Sequence, residues 1–296
     1  MTTMPGKLFR IIGYMLYALV VLLLLIVLRF PGEELRTYGE GRLAALVPGS
    51  SWRILGLSYR FPLTLAAEGL EVTLAEGQGP RVRLDKLSAS LSSLAPAGEV
   101  AVTAAIYGGT LQGRLRLGSG AGLEGRDLRL EKVDAALLPG KLLPGGRKVN
   151  GRLDAWGELS YSPASATAEG GLFGRGEVSL RDGSIALLAP LFSLKRLDVG
   201  QLSCELRLAR GRVDIASGQL RGADLQADFA GWWQQAGDIF SGQVQLGGRL
   251  RPGQGLLAGV AEEERHGLEL LLASHEGGLP FTVTGTVAAP LFRFDP

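Results

Sequence analysis

The chain has 296 residues, 31 Lys+Arg against 29 Asp+Glu, a formal net charge of +2, one Cys and two His. Nucleic-acid and polyanion binders carry a basic excess or patch, and none is present, which argues against nucleic acid as a partner. A single cysteine rules out an intrachain disulfide and a Cys-based metal cluster, and so few histidines leave most nucleophilic and zinc chemistries without material.

Ile11 to Leu28 reads IIGYMLYALVVLLLLIVL, eighteen residues without a charge. As a helix this run spans about 27 Å, close to the roughly 30 Å hydrocarbon core of a bilayer. Ile11, Tyr14, Leu16, Val20, Leu24 and Leu28 mark it as a membrane anchor. Lys7 and Arg10 precede it without an acidic residue, so the positive-inside tendency places the N-terminus in the cytoplasm and the bulk of the chain in the periplasm. A cleaved signal peptide would have an apolar region of about 7–15 residues and end in a small-x-small site. This run is longer, and the LRFPGEEL that follows offers no such site. The expectation is a retained single-pass signal-anchor of the inner membrane within residues 1–30. Beyond Lys7, Arg10 and Arg29 the chain carries 28 basic against 29 acidic residues, a formal −1.

Residues 31–50 place Leu35, Tyr38, Leu43 and Leu46 near helical spacing and end in Pro48-Gly49, which predicts a short amphipathic helix or linker leaving the membrane surface. From residue 51 to 296 the period changes to two. RVRL at 81–84, GRLRL at 113–117 and GRDLRL at 125–130 alternate strictly, and GRLDAWGELSY, CELRLARGRVDI, GQVQLGGRL and LPFTVTGTV continue the pattern. Each is the signature of a strand with one apolar and one polar face. There are 44 glycines, about twice the usual ~7%, and they punctuate the alternation as turns would. Asp182-Gly183 in particular reads as a hairpin turn. About a dozen strands result. Helix-like interruptions are few: 136–145, 186–197 and the longer 255–274.

A long antiparallel meander with one greasy face must close, stack or curl over something. No helical layer large enough to cover it is in sight, so the expected fold is mainly β: one transmembrane helix, then a curled antiparallel sheet or sandwich with an open groove and a few short helices. Two loosely similar halves, GRLRL…GLEGRDLRL and GEVSL…GQLRGADLQADF, hint at an internal repeat.

Chemistry-bearing motifs dissolve on inspection. Gly120, Gly122 and Gly125 have the GxGxxG spacing, but a strand-like RDLRLEKV follows where a dinucleotide site needs a helix. His266 and His275 lie nine residues apart, which suits neither a helical nor a strand metal pair. The run 262–265 reads as a solvated helix face rather than an acid–base pair. Cys204, in QLSCELRL, reads as a small buried apolar residue. Trp232 and Trp233 face opposite sides of a strand, one toward the core and one toward an edge or groove. No catalytic, cofactor or metal residue emerges, and the expectation is a non-enzymatic protein.

FPGEELRTY, YRFPLTLAAEGLEVTL, AAIYGGTLQGRLRL, GRLDAWGELSY, ELRLARGRVDIASGQLRGADLQADFAG and FTVTGTVAAPLFRF fall in one order along nearly the whole chain. That order resembles the type II secretion system protein N family (GspN) of delta-proteobacterial and leptospiral kind, whose sheet repeats are similar to those of AsmA-like envelope proteins. The most distinctive pieces are Tyr107-Gly108-Gly109 with Gly113, and Gly285-Thr286 followed by Pro290. These are turn and strand-start motifs. The resemblance implies an inner-membrane, periplasm-facing accessory or scaffold of the general secretion pathway, partnered by other secretion components. Through the AsmA-like kinship it also implies an apolar groove for acyl lipid, or phospholipid transfer.

Overall fold

The structure is a computed structural model of the full chain, and it describes residues 13–18, 21, 31–46, 50–60, 64–73, 81–91, 98–118, 122–140, 148–162, 170–191, 194–236, 238–253, 256, 262, 265, 266, 270, 272, 274, 275 and 277–295. Helix α1 (Gly32–Leu46) is followed by β1 (Ser51–Arg60), β2 (Thr64–Thr73), β3 (Arg81–Leu91), β4 (Glu99–Ile106), β5 (Gly109–Leu117), β6 (Leu123–Asp134) and β7 (Val149–Ser162). Then come β8 (Gly171–Leu191), β9 (Leu194–Ala209), β10 (Arg212–Arg221), β11 (Leu225–Ala236), β12 (Asp238–Pro252), β13 (Leu279–Gly285) and β14 (Pro290–Phe294). The strands form one 14-stranded sheet in chain order. Neighbouring strands are antiparallel throughout, as from β1–β2 to β13–β14. The fold is mainly β, as the period-two sequence requires.

The register keeps the apolar residues on one face. Leu153, Leu180, Leu202, Leu220, Ala227, Leu250 and Leu279 stand side by side across β7 to β13. All but Leu153 and Leu202 are buried, and Leu180, Leu220, Ala227 and Leu250 form the main core with Leu197, Val199, Leu225 and Phe281. A second core of Ile54, Ala67, Leu70 and Val72 lies at the β1–β2 end. Every described residue from 256 to 274 is helical, and Leu256 is fully buried.

Hairpin turns follow the glycines. Tyr107 and Gly108 both have positive φ (46° and 76°), as do Arg210 and Gly211 (50° and 79°). Positive φ at both central residues belongs to type I′ turns, whose twist matches that of the strands they join.

Two expectations need correction. Asp182-Gly183 is not a hairpin tip: β8 runs straight through it. Asp182 has φ 49° at a point where the β7–β8 register shifts between Asn150 and Arg152, so the pair forms a bulge. An Asp-Gly pair meets the same left-handed demand in either setting. Segment 186–197 is not helical either; β8 continues to Leu191, β9 starts at Leu194, and those two residues pair. Pro190 is tolerated there because it falls within the register shift between Ala186 and Leu191, where no ladder bond is lost. Helix α1 forms where expected, with Leu35 and Tyr38 exposed, Tyr38 to 61%. Its contacts with the sheet include Gly39 and Glu40, and Leu43 is half-buried. The Glu40 carboxylate accepts the Ile54 N–H at 2.7 Å, and Ile54 Cδ1 comes close to Gly39.

Candidate functional site

Two residues along each strand from the filled leucine row, Ala155, Val178, Cys204, Gly218, Phe229 and Gly248 stand in line. Two residues further on, or three on β10 where a bulge intervenes, the line becomes Gly157, Gly176, Leu206 and Ile215. The sheet therefore passes from a packed row to a hollow one. An apolar cavity of about 320 Å³ opens there, bounded by Leu111, Leu128 and Leu130 on one side and Leu206, Leu208 and Val213 on the other. Leu159 and Leu172, at the open end of the same face, are 41% and 42% exposed. Leucines at cross-strand positions bury one another when a second layer covers them; here the described residues supply no such layer.

Glycines form the floor, and the backbone leaves them no alternative. A Cβ at Gly157 would lie 2.5 Å from the Arg175 carbonyl oxygen, and one at Gly176 only 2.4 Å from that of Trp156. A Cβ at Gly174 would meet Leu159 Cδ2 at 2.6 Å. β7 and β8 approach so closely that any side chain would force them apart. The hollow is thus built into the backbone path as well as into the missing side chains.

Cys204 is paired across strands with Val178, which lines this hollow, and with Gly218. Burial pushes its thiol up from 9.0 to about 11, because a thiolate would lose hydration against apolar neighbours. The two tryptophans divide as the alternation requires. Trp233 stands on the apolar face opposite Val213 and Val244, its buried indole N–H without an acceptor among the described residues. Trp232 lies on the other face beneath the Arg212 guanidinium, 4.8 Å from the ring centre.

The reverse face of the same strands is wet and charged. Arg175 bonds Glu158 at 3.0 Å, Arg181 bonds Asp154 at 3.1 Å, and the Trp156 indole N–H donates to Glu177 at 3.0 Å. All of these groups but Arg175 border a mixed-charge depression of about 780 Å³. Neighbouring strands thereby neutralise one another, and the face resists collapse onto a second sheet.

The predicted turn residues hold the hairpins. The Asp134 N–H donates to the Tyr107 carbonyl at 3.0 Å, and the Arg83 N–H donates to the Tyr107 hydroxyl at 3.2 Å. Gly109 and Gly113 face β6, where Val133 and Leu128 leave no room for a Cβ. Gly285 has φ 101°, Thr286 Oγ1 accepts the Ala289 N–H, and Pro290 begins β14. None of these residues reaches the hollow. Of the anchor residues, Ile11, Val20, Leu24 and Leu28 lie outside the described residues, as do Lys7 and Arg10. Tyr14 and Leu16 sit in a helical stretch with their side chains exposed. No helix among the described residues is long and apolar enough to cross a membrane. The described residues contain no group of three or more His, Cys, Asp and Glu able to hold a metal.

Sequence reading assigned the glycines to turns and missed Gly157, Gly174 and Gly176 as a floor. The signal was their parity: in AWGEL and FGRGEV they occupy the positions where the alternation calls for large apolar residues.

Compared with known proteins, the chain matches no protein family, no curated protein and no solved structure.

Proposed function

We propose that this protein is a membrane-tethered lipid-binding protein, with the hollow between β5 and β10 serving as a groove for an acyl chain. One observation carries the reading: an uncovered apolar cavity of about 320 Å³ with a glycine floor and exposed leucines at its mouth. Exposed apolar patches of that kind mark ligand or partner sites, and a concave, almost wholly apolar lining suits a hydrocarbon chain. The uncharged run Ile11–Leu28 supports tethering to the bilayer from which such a lipid would come. The leucines, valines and glycines of its lining suit binding or carrying an acyl chain.

The role in type II secretion is a proposal of a different kind, supported by the order of the resembling segments alone. Deleting the gene and assaying export of folded exoproteins tests it, and unchanged export removes it.

Native mass spectrometry of the detergent-purified full chain tests the groove. The expected result is a co-purifying acyl lipid, with occupancy reduced severalfold in Leu159→Asn. Leu159 is exposed already, so the substitution leaves the core untouched. A lipid-free wild type, or equal occupancy in both, overturns the reading.

A further inference from the structure

Among the described residues, three other than glycine take a left-handed backbone within the sheet rather than at a hairpin turn: Asp127 (φ 49°), Lys132 (φ 57°) and Asp182 (φ 49°). Each stands at a register shift. Asp127 falls between Gly125 and Leu128 of β6, Lys132 between Leu130 and Val133 of the same strand, and Asp182 opposite the shift between Asn150 and Arg152 of β7. All three line the charged depression of about 780 Å³ on the polar face of β6, β7 and β8. Bulges re-aim side chains, and residues with a Cβ persist in this region only where their surroundings hold them there. Three such bulges around one depression mark a built site.

Trp156 lines the same depression and is 58% exposed. Arg129 of β6 and Glu177 of β8 stand directly beside it across the sheet. Glu177 accepts the indole N–H at 3.0 Å, which fixes the ring by its edge. Trp232, on the same face, lies beneath the Arg212 guanidinium at 4.8 Å; no cation among the described residues covers Trp156 in that way. An aromatic plane held at its edge and open to solvent is a stacking surface. The charges around it select what stacks. Six carboxylates of the lining stand against four cations, Arg129, Lys132, Arg152 and Arg181, so an anion would meet the carboxylates and a cation the guanidinium groups. Asp154 binds Arg181 at 3.1 Å and accepts the Lys132 backbone N–H at 2.8 Å, so these groups are already in place.

We propose that this depression is a saccharide-binding site, in which Trp156 stacks on a neutral sugar ring and the surrounding carboxylates and guanidinium groups bind its hydroxyls. A hydroxyl donates and accepts at once, so a mixed ring of acceptors and donors satisfies it as neither an anion nor a cation could be satisfied. The C–H face of a sugar ring carries slightly positive hydrogens, which fit the negative face of an indole. A volume of about 780 Å³ falls within the roughly 300–1,000 Å³ usual for small-ligand sites and takes a short oligosaccharide. The site lies on the opposite face of the sheet from the apolar hollow, and neither needs the other.

Isothermal titration calorimetry of the full chain in a detergent without a sugar headgroup tests this, with maltotriose, cellotriose and chitotriose as separate probes. At least one is expected to bind with a Kd of about 1 mM or tighter. Trp156→Ala weakens that binding about tenfold or more with an unchanged circular dichroism spectrum, since the ring is exposed already, and Trp156→Phe recovers part of it. Leu159→Asn, at the mouth of the apolar hollow, binds the sugar as the wild type does, so the outcome does not depend on whether the groove holds lipid. No binding of any of the three probes up to about 10 mM overturns the inference, as does equal binding by Trp156→Ala. Binding of tetramethylammonium in place of the sugars would make the depression a cation site and overturns it equally.

Discussion

Single side chains on the apolar face are set by what stands beside them across the sheet. Cys204 shows this most directly. It pairs with Val178 and Gly218, and burial lifts its thiol to about 11. Thiolate is the reactive form, so at pH 8 its population is about 100-fold below that of a thiol at the ordinary 9.0. Alkylation of the native chain by iodoacetamide is therefore expected to be slow at pH 8 and to keep accelerating up to about pH 11, whereas the denatured chain levels off near 9. A native profile that levels off near 9 would contradict the burial of this thiol. The alternation in QLSCELRL made the apolar placement of Cys204 readable in advance. Gly157 and Gly176 were not readable in the same way, because their role depends on the carbonyls of Trp156 and Arg175 on the adjacent strand. A turn glycine and a floor glycine look alike until the register is known.

At the level of elements, local pattern and tertiary context contributed unequally. Period-two alternation located the strands, since a one-residue slip would turn every apolar side chain outward. Segment 186–197 misled because ALLAPLFSLKRL carries no alternation. Its two halves pair with each other, Ala186 with Arg196 and Leu191 with Leu194, and that pairing decided the outcome. Helix α1 forms where its leucine spacing placed a helix, and its contacts with β1 include Gly39 and Glu40, which that spacing does not mark. The Glu40–Ile54 bond both satisfies a backbone donor and seals an edge. Glu40→Ala is expected to cost about 1–3 kcal/mol in denaturant unfolding, the usual penalty for a donor left unpaired in a half-buried site. Glu40→Gln, which keeps an acceptor oxygen, should recover most of it. Equal stability of the alanine variant and the wild type would show that α1 is held by something other than this bond.

The whole molecule is a meander in which each strand bonds only to its neighbours in sequence. The short turns made such a meander expected, but its resolution into one sheet rather than a sandwich could not be read in advance. Alternation says that one face is apolar without saying what will cover it. The structure covers the two ends unevenly. Ile54 and Leu70 are buried at the α1 end, Leu220 and Leu250 toward the other, and Leu159 and Leu172 between them remain exposed. A sheet left open in this way gains stability from any apolar ligand that binds the folded state alone. The gain grows with ligand as RT ln(1 + [L]/Kd), about 2.7 kcal/mol at a hundredfold excess over Kd. Titrating a monomeric lysophospholipid into the full chain below its micelle concentration is therefore expected to raise the thermal midpoint progressively. The same titration should slow Cys204 alkylation, because the thiol stands beside Val178, which lines the hollow being filled. Stabilisation without protection of Cys204 would place the lipid elsewhere, on the anchor or another surface. If neither quantity moved, the hollow would be a consequence of strand twist and not a binding site.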